Sequence, residues 1–251
     1  MSIKLMINGN EKIFDKEVVI SDLLPKKDRT IIAARVNNKL RELSYIIKED
    51  STVEFLTNSD EDASKIYEAS LRYVVVMAFA RLYPNVRVRL TRNVSRSTFI
   101  QILNPDFIAT MRIKEAIEEE MRKIIAADLP FIRHKYERED AIELYEKNGL
   151  DDKLEALQYR PERMVHLYEC DGYYNYLFQR MVPSTGYLTS FNLLLYSPGM
   201  ILQSPRSECD GEIPEFVDAP AYGKTLKESH TWAKLVNAET VVKINEHIRK
   251  D

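Results

Sequence analysis

The sequence predicts an α+β protein: a small β-grasp, ubiquitin-like module over residues 1–60, a larger α+β domain over 61–225 with helices packed on an antiparallel sheet, and a helical tail over 226–251. Three observations point there. The first sixty residues fall into short alternating apolar runs punctuated by Asn-Gly and Asn-Asn, the pattern of strands and tight turns. From Lys65 the apolar residues take up helical spacing, and after Tyr83-Pro84 alternation returns, so a second set of elements begins there.

Taken in order, Ile3, Leu5 and Ile7 share one face of a strand, and Asn8-Gly9-Asn10 supplies the positive-φ residues of a hairpin that returns through Lys12-Ile13-Phe14. Ser21 and Asp22 stand before Leu23-Leu24 as caps stand before a short helix. Ile31 to Asn37 reads as a strand entering an Asn-Asn turn, Leu40 to Ile46 as its return, and Val53-Glu54-Phe55-Leu56 as the closing strand. Within sixty residues the economical arrangement of this set is a β-grasp. The polar run Thr57 to Ser64 is expected to be its exit linker.

Lys65 to Leu82 carries apolar residues on more than one stripe, which predicts a buried helix ended by Tyr83-Pro84. Val86-Arg87-Val88-Arg89-Leu90 and Phe99 to Leu103 predict a hairpin of half-buried strands. Ile113, Ile117, Met121, Ile124 and Ile125 mark an amphipathic helix that stops near Leu129-Pro130, and Glu139 to Asn148 a further one closed by Gly149. Strands are expected at Met164–Tyr168 and Phe191–Tyr196, a surface loop from Ser204 to Gly223, and helix from Trp232 to Ile248.

Composition limits the functions available. With 45% hydrophobic and 30% charged residues the chain can bury a core, and no stretch approaches the length of apolar sequence that spans a membrane. The start of the chain lacks the apolar core of a secretory signal, and Cys170 and Cys209 show neither disulfide nor metal-knuckle spacing, which predicts a cytoplasmic protein with two ordinary thiols. A net charge of −3 supplies no global attraction for nucleic acid or anionic lipid.

Two regions of the sequence carry a family likeness. Ala34 to Leu40, with Leu43, Ile46, Asp50 and Val53 to Leu56, resembles the TGS domain at the front of threonyl-tRNA synthetases. Ile66-Tyr67 with Ser70-Leu71 and Leu82-Tyr83-Pro84, Met121 to Ile125 with Asp128-Leu129-Pro130-Phe131, and Met181-Val182-Pro183-Ser184-Thr185-Gly186-Tyr187-Leu188 resemble the second additional, editing-type domain of those synthetases. They resemble more closely its version in uridine-kinase-like nucleoside kinases, and Trp232 with Val241 to His247 looks like the helical join to a kinase domain. That resemblance implies the non-catalytic front of a nucleoside kinase. Its partner would be its own C-terminal kinase domain, and ATP and magnesium would be used there and not in this chain. The alternative is a free-standing RNA-binding or degenerate editing module, with RNA or a nucleoside as ligand.

The synthetase editing domains hold zinc with H-x-x-x-H on a helix plus a Cys and a His four residues apart. Anchored on the shared motifs, those four positions fall here on Ala69, Tyr73, Leu177 and Met181, none suited to a hydrolytic metal site. No metal and no catalytic residue is therefore expected, and the old cleft is assigned to these four together with Ser184, Thr185 and Tyr187. An aromatic group, Tyr168, Tyr173, Tyr174, Tyr176, Phe178 and Tyr187, could line it or simply fill core. Arg87, Arg89, Arg92 and Arg96 form a candidate phosphate or RNA patch, against the plainer reading of a solvated strand face. Two other pairings attract attention, each with a plainer reading beside it. His166 and Cys170 could approximate a base and a thiol, although a Cys on an apolar strand is ordinarily core. Gly223-Lys224-Thr225 ends like a P-loop but has Asp218 where the leading glycine belongs and Pro220 within it.

Overall fold

The protein is α+β. The computed structural model describes residues 2–25, 28–150, 154, 157, 162–176, 179–218, 220–238 and 241–250. It begins with the expected hairpin, β1 (Ile3–Ile7) and β2 (Asn10–Phe14), turned by Asn8 at φ 45° and Gly9 at φ 84°. Ile3, Leu5 and Ile7 are buried and their neighbours exposed, the period of two that fixes the register. β3 (Val18–Val19) leads directly into a 3-10 turn, Ile20–Leu23. Ser21 and Asp22 therefore lie inside this turn and do not cap it; Val19 holds the cap position, because Val18–Val19 stays paired with Ile46–Ile47 right up to it.

β4 (Ala33–Val36) and β5 (Lys39–Arg41) form the second hairpin, turned by Asn37 and Asn38 at φ 49° and 62°, followed by β6 (Ile46–Ile47) and β7 (Ser51–Leu56). The five-stranded sheet has the order β2-β1-β7-β4-β5, with β1 and β7 parallel and the other documented pairs antiparallel. Leu5, Ile20, Leu43, Ile47 and Val53 close its core.

The predicted linker is shorter than expected. Asp60 accepts from the Thr57 amide, Ser64 N donates to Asp60 O, and α1 (Glu61–Leu82) starts inside the polar run, with Glu61 and Asp62 favourably placed in its first turn. Thirteen of its 22 residues are buried, which makes it the central helix of its unit. β8 (Val88–Val94) and β9 (Ser97–Ile102) follow as a hairpin turned by Ser95 and Arg96, both at positive φ. α2 (Met111–Ala126) is capped by the Thr110 hydroxyl, which accepts from Ile113 N, and buries Ile117, Met121 and Ile124.

β10 (Ile132–Glu137), α3 (Arg138–Lys147), β11 (Met164–Cys170) and β12 (Tyr173–Asn175) come next, with Gly149 at φ 65° behind α3. Their three strands order as β10-β11-β12. β13 (Asn192–Tyr196) and β14 (Gly199–Gln203) join the earlier hairpin in a four-stranded antiparallel sheet, β13-β14-β9-β8. Gly199 is needed where it stands, since an added Cβ would fall 2.0 Å from the Ile100 carbonyl.

The expected loop to Gly223 also ends early. α4 (Pro220–Leu235) begins at Pro220, a residue suited to a first helical turn, and α5 (Val241–Lys250) follows.

Two compact units result. The first takes the described residues up to Ile132, Cys170–Tyr173 and those from 179 to Phe216; the second takes Arg133–Glu169, Tyr174–Tyr176 and the chain from Val217 on. The second has its own core of Ala141, Tyr145, Leu157, Val165 and Leu167. Among the described residues no helix is long and apolar enough to cross a membrane.

Candidate functional site

The positions that correspond to metal ligands in the resemblance are occupied by packing. On α1, Ala69 is 5% and Tyr73 1% exposed, and Tyr73 donates its hydroxyl proton to the Tyr173 carbonyl. The rings of Phe131 and Tyr173 meet Tyr73 edge-on, each at 5.3 Å. Met181 is buried, its sulfur 3.7 Å from the Ser70 hydroxyl, and Ser70 also accepts from Val182 N. A tyrosine with its one polar atom satisfied and two aromatic neighbours is a core residue by every energetic criterion. Leu177 lies outside the described residues. Among the described residues no group of three or more His, Cys, Asp or Glu is placed to hold a metal ion.

The segment Ser184–Tyr187 is bolted to the end of α2. Thr185 N donates to Leu129 O, Leu129 N donates to the Thr185 hydroxyl, and that hydroxyl donates to Ile124 O. Asp128, at φ 51°, then faces the turn and accepts from the Ser184 hydroxyl and from Gly186 N. Arg29 adds a partner from far away in the chain, donating to Asp128 and to the Gly186 carbonyl, with its guanidinium 6.0 Å from the centre of the Tyr187 ring. An added Cβ on Gly186 would lie 2.2 Å from the Asp128 carboxylate and 2.4 Å from the Arg29 guanidinium, so any larger residue would have to push that ion pair aside.

These groups edge an open cleft of about 650 Å³, lined among others by Asp22, Asp28, Arg29, Asp128, Ser184 and Tyr187. Hydrogen bonds from the Thr30 hydroxyl and amide hold the Asp28 carboxyl below the usual carboxylate range. Burial pushes the Tyr187 hydroxyl up, Arg29 opposing it. Of the residues named from sequence, Ser184 and Tyr187 border this cleft, whereas Thr185, Ala69, Tyr73 and Met181 do not line it and are buried. Arg29 and Asp128 escaped the sequence reading: they lie 99 residues apart, and neither carries a local motif that announces the other.

The arginine patch is a feature of the β8–β9 hairpin. Arg89 faces Gln101 across the ladder on an edge strand, Arg87 lies just before β8, and Arg96 is exposed at the turn. Arg96 does not stand clear of other groups, since its guanidinium reaches Cys209 Sγ at 3.5 Å and helps, after the Glu208 backbone amide, to lower the Glu208 carboxyl. The Arg92 side chain lies outside the described residues. Arg81, in the same stretch of sequence, is already paired with Glu120 and Asp171.

The remaining pairings come apart. Of the aromatic group, Tyr173 meets Tyr73 edge-on at 5.3 Å and Tyr174 lies 6.2 Å from the His134 ring, while Phe178 lies outside the described residues. His166 and Cys170 share β11, where four residues of strand separate them by about 13 Å. They are too far apart for proton transfer. Gly223-Lys224-Thr225 lies within α4, where the Thr225 hydroxyl donates to Ala221 O, so its amides serve the helix and cannot cradle a phosphate. Neither cysteine is in a disulfide.

Comparison with known proteins now decides between the two parentages. The chain is 30% identical over 177 residues to the threonine–tRNA ligase of Syntrophomonas wolfei, 70% of this chain and 28% of that protein. The chain resembles a region of threonine–tRNA ligases. The ligase of Desulforamulus reducens is 32% identical over 169 residues, 66% of this chain and 26% of the ligase, and threonine–tRNA ligase 1 of Bacillus subtilis is 30% identical over 179, with 71% and 28% covered. The chain spans less than a third of the length of these ligases. No protein-family profile matches it. The expectation of a nucleoside-kinase parent is overturned: the relatives are named as threonine–tRNA ligases and not as uridine or nucleoside kinases. The synthetase half of the resemblance stands; the kinase half rested on the same three editing-type stretches, which the ligases share, and on the helical join at Trp232 and Val241 to His247.

Proposed function

We propose that this chain is a synthetase-derived RNA-binding module: a TGS-like β-grasp followed by an editing-like domain whose pocket is closed by its own side chains, which grips tRNA without hydrolysing an ester. The observation that carries the reading is the β8–β9 hairpin. From residue 84 to residue 105 the chain has four arginines and no acidic residue, and among the described residues Arg89 has no ion-pair partner. A cationic edge of this kind suits phosphates, which fix position without reading sequence. The packed Tyr73 and Met181 support the inert half of the reading, since both are buried and the Tyr73 hydroxyl is already spent on the Tyr173 carbonyl.

Binding of unmodified tRNA to the full chain, followed by fluorescence anisotropy across a salt series, tests this. The expected affinity falls as salt rises, with a logarithmic slope of about −0.7 to −0.9 per phosphate held. Absent or salt-independent binding overturns the RNA reading. Release of amino acid from mischarged tRNA above background overturns the closed pocket instead.

A further inference from the structure

The surface beside the arginine hairpin carries a second feature that phosphate binding does not use. The loop from Leu103 to Thr110, between β9 and α2, presents Ile108, 74% exposed, and Met111, 53% exposed, opens the helix that follows. Large apolar side chains this open usually belong to a mobile tip, but this loop is held. Leu103 N donates to Arg87 O, Arg87 N donates to the Asn104 side chain, and Asn104 Nδ2 donates to Asn85 O. Phe107 N donates to Asn104 O, and the Phe107 ring meets Tyr83 edge-on at 5.1 Å, so Phe107 turns inward as the anchor while Ile108 is left outside. Thr110 then caps α2. The apolar tip is thus presented on a braced support.

Its neighbours are cationic. Arg87 is exposed at the strand that braces the loop, Arg89 follows it, and Arg112 is exposed on the first turn of α2. Among the described residues neither Arg89 nor Arg112 has an ion-pair partner, and Asp106 is the one acidic residue from 84 to 114. A partner that matches an apolar point set among arginines must be anionic along its length and yet offer a flat apolar face. RNA does both wherever a base is unpaired or a helix ends, because the phosphates run past a base whose π-face is open.

We infer that Ile108, backed by Met111, packs on an unpaired or helix-terminal base of a bound RNA while Arg87, Arg89 and Arg112 hold the adjoining phosphates. This rests on the RNA-binding reading and adds a contact mode to it: the loop selects RNA with an open base over continuous duplex.

The test uses the full chain and two RNAs, a duplex with a short unpaired tail and the same duplex closed at both ends by tight loops. The expected result is tighter binding of the tailed RNA. Ile108→Ala weakens that binding about five-fold and leaves the closed duplex and the salt slope unchanged; Ile108→Phe restores or exceeds it; Arg112→Gln lowers the salt slope by about one on the tailed RNA. Ile108 is exposed, so these variants leave folding intact. Failure of the unaltered chain to bind either RNA removes this inference together with the reading beneath it. Binding by the unaltered chain that is the same for both RNAs and indifferent to Ile108→Ala overturns the inference alone. A change in self-association on Ile108→Ala without a change in RNA affinity overturns it too, and assigns the patch to a protein contact.

Discussion

Thr185 and Tyr67 are buried polar side chains whose hydroxyls both donate and accept, and each sets a measurable quantity. Thr185→Val keeps the shape of the side chain and removes the hydroxyl, leaving Leu129 N and Ile124 O without their partner in a closed turn. The expected loss is about 1–3 kcal/mol, read as a lower urea midpoint with an unchanged slope. Tyr67 donates to Ser190 O and accepts from Ser190 N, and burial pushes its hydroxyl up from 10.0 to about 12. The sign follows from linkage: the folded state holds the proton more tightly, so the contribution is complete below pH 10.0 and is lost as pH rises through about 12. Two pKa units correspond to about 3 kcal/mol. Urea midpoints measured across that alkaline window should therefore fall more in the unaltered chain than in Tyr67→Phe, and parallel curves would refute the assignment.

Among the elements, α1 decides what the pocket can do. Tyr73 is buried on it, and Tyr73→Ala should cost about 3–5 kcal/mol in urea denaturation by opening a cavity among Ala69, Phe131 and Tyr173. No zinc affinity should appear, because the Ala69, Phe131 and Tyr173 side chains offer no nitrogen or thiolate donor; zinc retained stoichiometrically by the variant and not by the unaltered chain would contradict this. α1, α2 and the two hairpins before residue 60 were legible in the sequence because each has a clear period and explicit end signals, Asn8-Gly9, Asn37-Asn38 and Tyr83-Pro84. β14 and β10 were not. Met200-Ile201-Leu202 is a short continuous apolar run, the mark of a strand buried on both faces, which periodicity cannot identify. In β10, Arg133, Lys135 and Glu137 alternate with Ile132, His134 and Tyr136, a pattern too polar to stand out. The site was legible only where a motif carried it: Ser184 and Thr185 are in a recognisable segment, whereas Arg29 gives no sign of its partner until the chain has folded.

For the whole molecule, charge is the property that the RNA reading must answer to, since the chain is net negative at −3 and a polyanion gains nothing from its average field. Binding then has to be local, held within roughly a Debye length of the arginine hairpin, about 8–10 Å at moderate salt. This separates a specific surface from a general one by a charge-matched comparison. Arg87→Glu with Arg89→Glu changes the net charge by −4, and so does Lys12→Glu with Lys16→Glu, both of which are exposed on or beside β2 in the five-stranded sheet. If the hairpin is the contact, the arginine pair loses essentially all tRNA affinity at moderate salt, and the lysine pair keeps its affinity within about two-fold with an unchanged salt slope. Equal losses from the two pairs would mean that tRNA responds to net charge alone, and Arg87 and Arg89 would then be ordinary residues at a solvated sheet edge, placed there to keep other strands away.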